Sequence, residues 1–267
     1  MKEIEFYKFD GAGNDFIIVD GRHTPINLSH DDIAALCHRR FGIGADGFMN
    51  LGAGNDDYDF TMRYYNSDGG QASMCGNGGR CIVLFAFLLG IGISDPTTLP
   101  RYRFLASDGP HTADILNYDT QRQQGQVCLG MRDVPTAGIK PCLDGWLLNT
   151  GVPHYVQQVS NLAEFDVFNE GRRLRHHPEL GPEGANVNFV ELSPEGILNV
   201  RTYERGVEDE TWACGTGVTA CAIVCNCNKL SARGGKFEVD FQKSPKSYTN
   251  VTLTGPASFN FKGIVKI

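Results

Sequence analysis

Met74-Cys75-Gly76-Asn77-Gly78-Gly79 is a short motif that returns in the second half of the chain as Ala213-Cys214-Gly215-Thr216-Gly217, so that Cys-Gly-x-Gly occurs twice. In both places the motif follows a strand-like segment and a polar loop, and it precedes an apolar segment of helical length. The strand-like segments are 60–66 and 198–204, and the apolar segments are 80–89 and 218–227. A unit that occurs twice in the same order predicts two similar α/β halves.

The boundary between the halves is expected at about Asn117, where a polar stretch rich in Asp, Thr and Gln begins. The first half would carry one motif cysteine and the second half the other. We expect the closing segment 258–267 to return to the first half as a strand. The predicted halves are residues 1–117 with Cys75 and residues 118–257 with Cys214.

The two apolar segments predict the layer structure of each half. A helix that is apolar on all sides must be surrounded by other structure, and a curved sheet is the simplest covering. The predicted fold class is therefore α/β (α+β), with two pseudo-symmetric domains. Each domain would be a curved mixed sheet wrapped around a central apolar helix.

Composition and charge narrow the range of functions. The 267 residues are 41% hydrophobic and 21% charged, which is typical of a globular chain. The net charge of −7 argues against a general affinity for nucleic acid or for anionic membranes, because both need a basic surface. The first eleven residues contain no apolar run that would indicate a signal peptide or an anchor, so we expect a cytoplasmic protein without a membrane partner.

Each motif places a cysteine where a helix is expected to begin. Unpaired backbone N–H groups and the positive end of the helix dipole stabilise an anion there, so a thiolate is favoured and can act as a base at neutral pH. The glycines allow backbone to approach a ligand closely, and the same N–H groups could hold a carboxylate. One such cysteine alone would more often be a packing residue.

Duplication of the motif suggests a reaction. Two similar halves facing each other would direct two thiols at opposite faces of one bound molecule. One thiolate could remove a Cα proton while the opposing thiol donates a proton to the other face. This hypothesis assigns Cys75 and Cys214 to an amino-acid racemase or epimerase that needs neither a cofactor nor a metal.

Two other patterns compete with this interpretation. Nine cysteines are present, and a zinc site could be proposed from a group of four in the second half. These four lie along one apolar helix. The ligands of a structural zinc site usually come in closely spaced pairs from separate turns, so the pattern disfavours zinc. Residues 42–47 match the glycine pattern of dinucleotide-binding loops, but they follow a predicted helix and precede a strand, which is the wrong context. The four cysteines are Cys214, Cys221, Cys225 and Cys227.

Polar residues outside the motifs could bind a substrate with a second zwitterionic end. Arg205 offers a fork of donors that suits a carboxylate, and asparagine side chains offer donors and acceptors. His154, which follows Pro153, is a supporting candidate. The remaining candidates of this kind are Asn14, Asn66, Asn186 and Glu204.

Taken together, these motifs resemble those of the diaminopimelate epimerase family over the whole length of the chain. Relatives in this family interconvert L,L- and meso-diaminopimelate on the route to lysine and peptidoglycan. The motifs that carry the resemblance are Gly13-Asn14-Asp15-Phe16, residues 42–47, Asn66-Ser67-Asp68-Gly69, Met74 to Arg80, Gly151-Val152-Pro153-His154, Asn186-Val187-Asn188-Phe189, and residues 203–206 and 210–217.

The resemblance implies the diaminopimelate epimerase-like fold, Cys75 and Cys214 as the acid/base pair, no pyridoxal phosphate, no metal and a homodimer. Many relatives have Gln where Gly47 stands and Asn where Val152 stands, so polar contacts from those two side chains would be missing. The substrate-binding residues that the resemblance implies are Asn14, Asn66, Gly76, Asn77, Asn186, Glu204, Arg205, Gly215 and Thr216.

Three alternatives stay open at this point. Proline racemases and hydroxyproline epimerases share the paired cysteines, but they typically have His where Asn77 stands and bind a substrate with one carboxylate. Isomerases related to phenazine biosynthesis share the fold type without the cysteine pair. A non-enzymatic protein could instead bind a metal through its cysteine cluster.

Overall fold

The computed structural model describes residues 3–24, 26–93 and 98–267. The chain divides into two compact units. Unit 1 runs to Leu129 and also contains residues 255–267, and unit 2 contains residues 130–254. Asn117, the expected boundary, lies inside a strand of unit 1 that continues to Asp119.

Unit 1 consists of strands that form a closed ring around one helix. The order around the ring is β18-β1-β2-β3-β4-β6-β7-β8, and β8 pairs again with β18. Two of these pairings, β2 with β3 and β4 with β6, are parallel, and the others are antiparallel, so the sheet is mixed. The elements are β1 (Glu3–Gly11), β2 (Asn14–Asp20), α1 (His30–Cys37), β3 (Gly47–Ala53), β4 (Phe60–Asn66), β5 (Gln71–Ala72), α2 (Gly76–Leu88), β6 (Arg101–Ala106), β7 (Gly109–Asp119), β8 (Gln124–Gly130) and the second part of β18 (Ser247–Lys266).

The two helices of unit 1 lie on opposite faces of this sheet. Helix α2 fills the ring, and every residue from its first through Ala86 is buried. Helix α1 packs outside, where Ile33 and Leu36 meet side chains of β2 and β3. Ser29 begins α1 with a capping box, in which its hydroxyl accepts from the backbone of Asp32 and the Asp32 carboxylate accepts in return.

Unit 2 repeats this arrangement. Helix α4 is surrounded by strands in the order β10-β11-β12-β13-β14-β16-β17-β18, and β9 lies on the other edge of β18. Helix α3 packs outside, against β13 and β14. The elements are β9 (Val134–Pro135), β10 (Lys140–Cys142), β11 (Gly145–Asn149), β12 (Pro153–Gln158), α3 (Val167–Arg175), β13 (Asn186–Leu192), β14 (Leu198–Glu204), β15 (Asp209–Thr211), α4 (Gly215–Cys225), β16 (Lys229–Ala232), β17 (Gly235–Lys243) and the first part of β18.

The strand pairings show that the two units are copies of one plan. In unit 1 the series β1-β2-β3-β4-β6 is joined by antiparallel, parallel, antiparallel and parallel pairings. In unit 2 the series β11-β12-β13-β14-β16 is joined in the same order. In both units the buried helix follows a short strand outside this series, β5 before α2 and β15 before α4. The predicted fold, a curved mixed sheet around a central apolar helix in each of two halves, is confirmed.

The central helices are too short to span a bilayer. Helix α2 has 13 residues and α4 has 11. Within the described ranges, no helix has the length and hydropathy that crossing a bilayer requires.

Candidate active site

Cys75 is the residue immediately before the first turn of α2. Its backbone is extended, with φ −92° and ψ 131°, and its carbonyl accepts the first helical hydrogen bond, from Gly79 N at 2.7 Å. The first turn can pack this closely because three of its four residues, Gly76, Gly78 and Gly79, are glycines. A Cβ on Gly79 would lie 2.9 Å from Met74 Sδ and 3.1 Å from Leu129 Cδ2. The helix therefore begins directly after Cys75, where the backbone N–H groups of the first turn favour an anion.

A chain of polar side chains connects the first turn of α2 with the start of β2. Asn77 Nδ2 donates to Asn14 Oδ1 at 2.6 Å, and Asn14 Nδ2 donates to Asp46 Oδ2 at 3.1 Å. At the other end, Arg80 Nη2 donates to Asn77 Oδ1 at 2.8 Å. The structure thus brings together two of the predicted binding residues, Asn14 and Asn77, and it adds Asp46 and Arg80, which the sequence analysis did not assign.

An ionic cluster surrounds the start of β2, where Asn14 lies. Asp15 accepts Lys8 Nζ at 2.7 Å and Arg39 Nη2 at 2.7 Å, and Arg39 also reaches Asp46 at 2.7 Å. Burial alone would raise the pKa of Asp15, but the hydrogen bonds and charges of Arg39 and Lys8 outweigh burial and hold this pKa at about 2. The cluster therefore fixes the residues beside Asn14 at any physiological pH.

Asn66 lies at the same edge of the sheet as Asn14 but is not part of the Asn14–Asn77 chain of hydrogen bonds. Phe16 pairs with Gly47, and Gly47 pairs with Asn66, so the starts of β2 and β3 and the end of β4 share one edge. The Asn66 side chain is exposed, and its backbone closes a turn with Gly69 and Gly70. Gly47 is packed tightly, since a Cβ there would lie 2.5 Å from Tyr64 Cε2.

Cys214 occupies the matching place before α4. Its backbone is extended, with φ −109° and ψ 109°, and its carbonyl accepts from Val218 N at 2.8 Å. Its exposed fraction is 7%. Its sulfur lies 3.5 Å from the hydroxyl of Thr216, which in turn lies 2.9 Å from His154 Nε2. Sequence reasoning listed Thr216 and His154 separately, and the structure joins them to Cys214.

The donors in this chain all point toward the cysteine. Asn188 donates through Nδ2 to the carbonyl of Tyr155 at 2.9 Å, and its Oδ1 accepts from Thr202, so Nδ2 is also the atom that faces His154 Nδ1 at 3.2 Å. Nδ1 is thus an acceptor, and the proton of the neutral ring is on Nε2. The ring then donates to Thr216 Oγ1, which leaves the hydroxyl hydrogen to donate to Cys214 Sγ. An acceptor sulfur, the thiolate, is stabilised by this arrangement.

His154 is fully buried, and its charged form is disfavoured. Burial, together with the positive charge of Arg205, lowers the pKa of His154 to about 3. The ring is therefore neutral at physiological pH, as the assignment of its proton to Nε2 requires. Asn188 and Thr202 were not assigned by sequence reasoning. Only their alternation along two strands, toward the side occupied by α4, could have indicated them.

The remaining predicted residues of unit 2 lie where β13 starts and β14 ends. Asn186 is 5% exposed, and its Oδ1 accepts from the backbone N of Arg205 at 2.8 Å. The Arg205 guanidinium forms an ion pair at 3.2 Å with Glu183, whose side chain is 85% exposed. Glu204 accepts a hydrogen bond from Thr211 Oγ1. Register places His154 beside Asn186, so these groups share one edge of the sheet with the Cys214 chain.

Burial raises the pKa of several of the other cysteines. Cys81 and Cys221 are fully buried, and burial raises their pKa values well above the ordinary range. Burial also raises the pKa of Cys37 and of Cys225 to about 11. Cys225, Cys128 and Cys142 are only partly buried. No group of three or more His, Cys, Asp or Glu side chains arranged to hold a metal ion occurs in the part of the chain that the structure describes.

One cavity of unit 2 lies away from the cysteine motif. It has a volume of about 500 Å³ and lies at the C-terminal end of α4, lined by Trp146, Leu192, Val224, Cys225 and Cys227 among others. Cys214 precedes the opposite end of the same helix. The polar chain around Cys214, rather than this cavity, has the chemistry of a proton-transfer site.

Comparisons with known proteins agree with the sequence motifs. The family model described as diaminopimelate epimerase matches residues 6–99 and 146–251. A diaminopimelate epimerase of Flavobacterium psychrophilum is 45% identical over 97% of this chain and 99% of its own length. One from Chlorobaculum tepidum is also 45% identical, over 96% of this chain and 99% of its own length.

Solved structures show the same fold at lower sequence identity. A probable proline racemase from Agrobacterium radiobacter has a TM-score of 0.71 at 16% identity, covering 99% of this chain and 92% of that one. A phenazine biosynthesis protein of the PhzF family from Bacillus anthracis has a TM-score of 0.69 at 15% identity, with both chains fully covered. At this identity the likeness concerns the fold alone.

Proposed function

This chain belongs to the diaminopimelate epimerase family, and from that premise we propose that it interconverts L,L- and meso-diaminopimelate through two bases, Cys75 and Cys214. The product serves lysine and peptidoglycan synthesis. One observation supports the pair of bases above all: each cysteine immediately precedes the central helix of one copy of a repeated unit.

The proposed reaction moves one proton off and another proton onto the same carbon. A thiolate takes the Cα proton, so that the C–H bond breaks and an S–H bond forms. The electron pair moves into the carboxylate, which takes on enediolate character. The second thiol then gives its proton to the opposite face of the carbon, and its S–H bond breaks. In the reverse direction the two sulfurs exchange roles.

The helix starts would stabilise the charge that develops on the carboxylate. Backbone N–H groups of Gly76 and Asn77 in α2, and of Gly215 and Thr216 in α4, belong to first turns and point out of the N-terminal ends of their helices. Donors fixed in advance lower the barrier most where charge appears during the reaction. One sulfur accepts the departing proton and the other supplies the incoming one, so the proposed chemistry needs neither pyridoxal phosphate nor a metal.

The second amino-acid end of the substrate would be held by the polar candidates. Arg205 suits the distal carboxylate, because its present partner Glu183 is an exposed side chain that a substrate carboxylate can replace. Glu204 suits the distal ammonium group. Asn14, Asn66 and Asn186 would supply further donors and acceptors. Gly47 and Val152 provide no polar side chain for this purpose.

The rival function is racemisation of proline or hydroxyproline. The structural likeness to a proline racemase is at 16% identity, whereas the diaminopimelate epimerases are 45% identical. Asn77, where the rival group typically has His, is tied to Asn14. The diaminopimelate assignment is therefore favoured.

Incubation with L,L-diaminopimelate in deuterated water tests the function. We expect meso product that carries one deuterium at the inverted carbon, and no exchange into proline or glutamate, which serve as control substrates. Turnover of proline without turnover of diaminopimelate would replace the assignment with its rival.

Single substitutions test the two bases. We expect Cys75→Ala and Cys214→Ala each to abolish epimerisation while the protein stays folded, since each thiol serves one face. Cys→Ser at either position should be almost as damaging, because a hydroxyl is a poor base at neutral pH. Full activity in either alanine variant would rule out two-base chemistry.

A homodimer and a cytoplasmic location complete the proposal, and the homodimer is carried over from the family resemblance. Size-exclusion chromatography with light scattering measures the first, and a mass of about 29.3 kDa, that of one chain, would contradict it. Fractionation of the source cells measures the second.

A further inference from the structure

Arg80 is a fully buried arginine in the second turn of α2, with an exposed fraction of 0%. Its guanidinium turns back toward the start of the helix, where Nη1 donates to the Gly76 carbonyl at 3.3 Å and Nη2 donates to Asn77 Oδ1 at 2.8 Å. Nε donates to the carbonyl of Pro256 in β18 at 3.2 Å. The side chain thus joins the cysteine-bearing turn to the strand that closes the ring.

Arg80 determines which atoms two neighbouring amides present. A guanidinium can only donate, so the Asn77 atom that faces it must be the oxygen. The Asn77 nitrogen then faces Asn14 and donates to Asn14 Oδ1. The Asn14 nitrogen in turn faces Asp46, whose carboxylate can only accept. A fixed donor at one end and a fixed acceptor at the other leave one orientation for both amides.

The charge of Arg80 also acts on Cys75. Burial lowers the pKa of Arg80 to about 10, while interactions with Cys81 and Cys75 act in the opposite direction. The guanidinium therefore stays charged at neutral pH. Because a Cys75 thiolate would stabilise this charge, the charge in turn favours the thiolate. Other charged groups act near this turn. Asp10 and Asp15 oppose ionisation of neighbouring Cys81, and Asp108, paired with His111, accepts from Met74 N.

We propose that Arg80 is a positioning residue with two effects: it orients the amides of Asn77 and Asn14 for substrate, and its charge favours the thiolate of Cys75. The effect on substrate rests on the proposed function, whereas the effect on the thiolate does not. Two substitutions separate them. Arg80→Gln removes the charge, and Arg80→Lys keeps the charge but loses the planar fork of donors.

Alkylation measures the thiolate without any substrate. In a Cys214→Ser background, the rate of Cys75 modification by iodoacetamide is followed against pH by mass spectrometry of its peptide. An opposite charge close to a thiol lowers its pKa by about 1 to 3 units, so Arg80→Gln should slow alkylation at pH 7 by about tenfold or more. Arg80→Lys should stay within about threefold of the parent. The control is Arg101→Gln, at a side chain that is 73% exposed in the same unit.

Steady-state kinetics with diaminopimelate measure the amide effect. Arg80→Lys should raise KM by about tenfold, the size expected for one misplaced hydrogen bond to a charged group, with a smaller change in kcat. Unchanged alkylation in folded Arg80→Gln overturns the charge effect, and an unchanged KM in Arg80→Lys overturns the orienting effect. If Arg80→Gln does not fold, alkylation of Arg80→Lys more than tenfold slower than the parent overturns the charge effect. Absence of diaminopimelate turnover by the wild-type enzyme would instead contradict the proposed function, and the alkylation result would still decide the role of the charge.

Discussion

Thr216 shows how one hydroxyl sets the character of a neighbouring sulfur. It accepts from the neutral His154 ring at 2.9 Å and so presents its hydrogen to Cys214 at 3.5 Å. We expect Thr216→Val, which keeps the shape of the side chain, to reduce kcat by about tenfold, because a hydrogen bond to a charged acceptor contributes about 1.5 to 3 kcal/mol. Thr216→Ser keeps the hydroxyl and is the control. Equal activity of the valine and serine variants would show that the hydroxyl does not act on the thiolate.

His154 makes the stability of the protein depend on pH. Its pKa is lowered from 6.5 to about 3 in the folded state, so below pH 6.5 the unfolded state binds the proton and the folded state does not. The contribution of His154 to the free energy of unfolding is fully present above pH 6.5 and is lost as the pH falls from 6.5 toward 3. Linkage gives a loss of about 2 kcal/mol in the free energy of unfolding between pH 7 and pH 5.

Urea unfolding of His154→Gln isolates that contribution. The glutamine is neutral at both pH values and can still donate toward Thr216, so the difference between wild type and variant cancels the effects of other titrating groups. Asp15, with its pKa held at about 2, acts only at lower pH. A wild-type protein whose loss of stability between pH 7 and pH 5 equals that of the variant would mean that the ring accepts its proton while buried.

Among the elements, the start of α4 depends on a glycine that touches the polar chain. A Cβ on Gly217 would lie 2.4 Å from Asn188 Oδ1 and 3.3 Å from His154 Cε1. We expect Gly217→Ala to displace Asn188, to lower the free energy of unfolding by about 1 to 3 kcal/mol and to reduce activity. Gly138→Ala is the matched control, because a Cβ there would meet nothing within 4 Å. Equal stability and activity of the two variants would contradict this account.

The helix starts were predictable because their signals are local. Two cysteines, each followed by glycines and an apolar segment, indicate where α2 and α4 begin. The groups that act on these cysteines were not predictable in the same way. Asp46 reaches Asn14 from a turn 32 positions along the chain, and Asn188 reaches His154 across 34 positions. Such contacts depend on strand pairing, which the sequence pattern indicates only as alternation.

For the whole molecule, the second part of β18 is the segment whose removal should affect one unit and spare the other. Its residues after Thr254 belong to unit 1, where they pair with β1 and β8. We expect deletion of residues 256–267 to unfold unit 1, because both strands lose their neighbour and leave open edges. Unit 2, residues 130–254, should survive limited proteolysis as a protected fragment. Deletion of Ile267 alone is the control, and full resistance of the longer deletion would contradict the prediction.

The closing of the first ring by β18 also governs when that ring can form during synthesis. β1 and β18 lie at opposite ends of the described chain, and the ribosome makes β18 after every other strand of unit 1. The edges of β1 and β8 that pair with β18 therefore stay unpaired while the whole of unit 2 is translated. The half of the protein that is made first is completed last, so its strand edges stay exposed to aggregation on the ribosome until β18 is made.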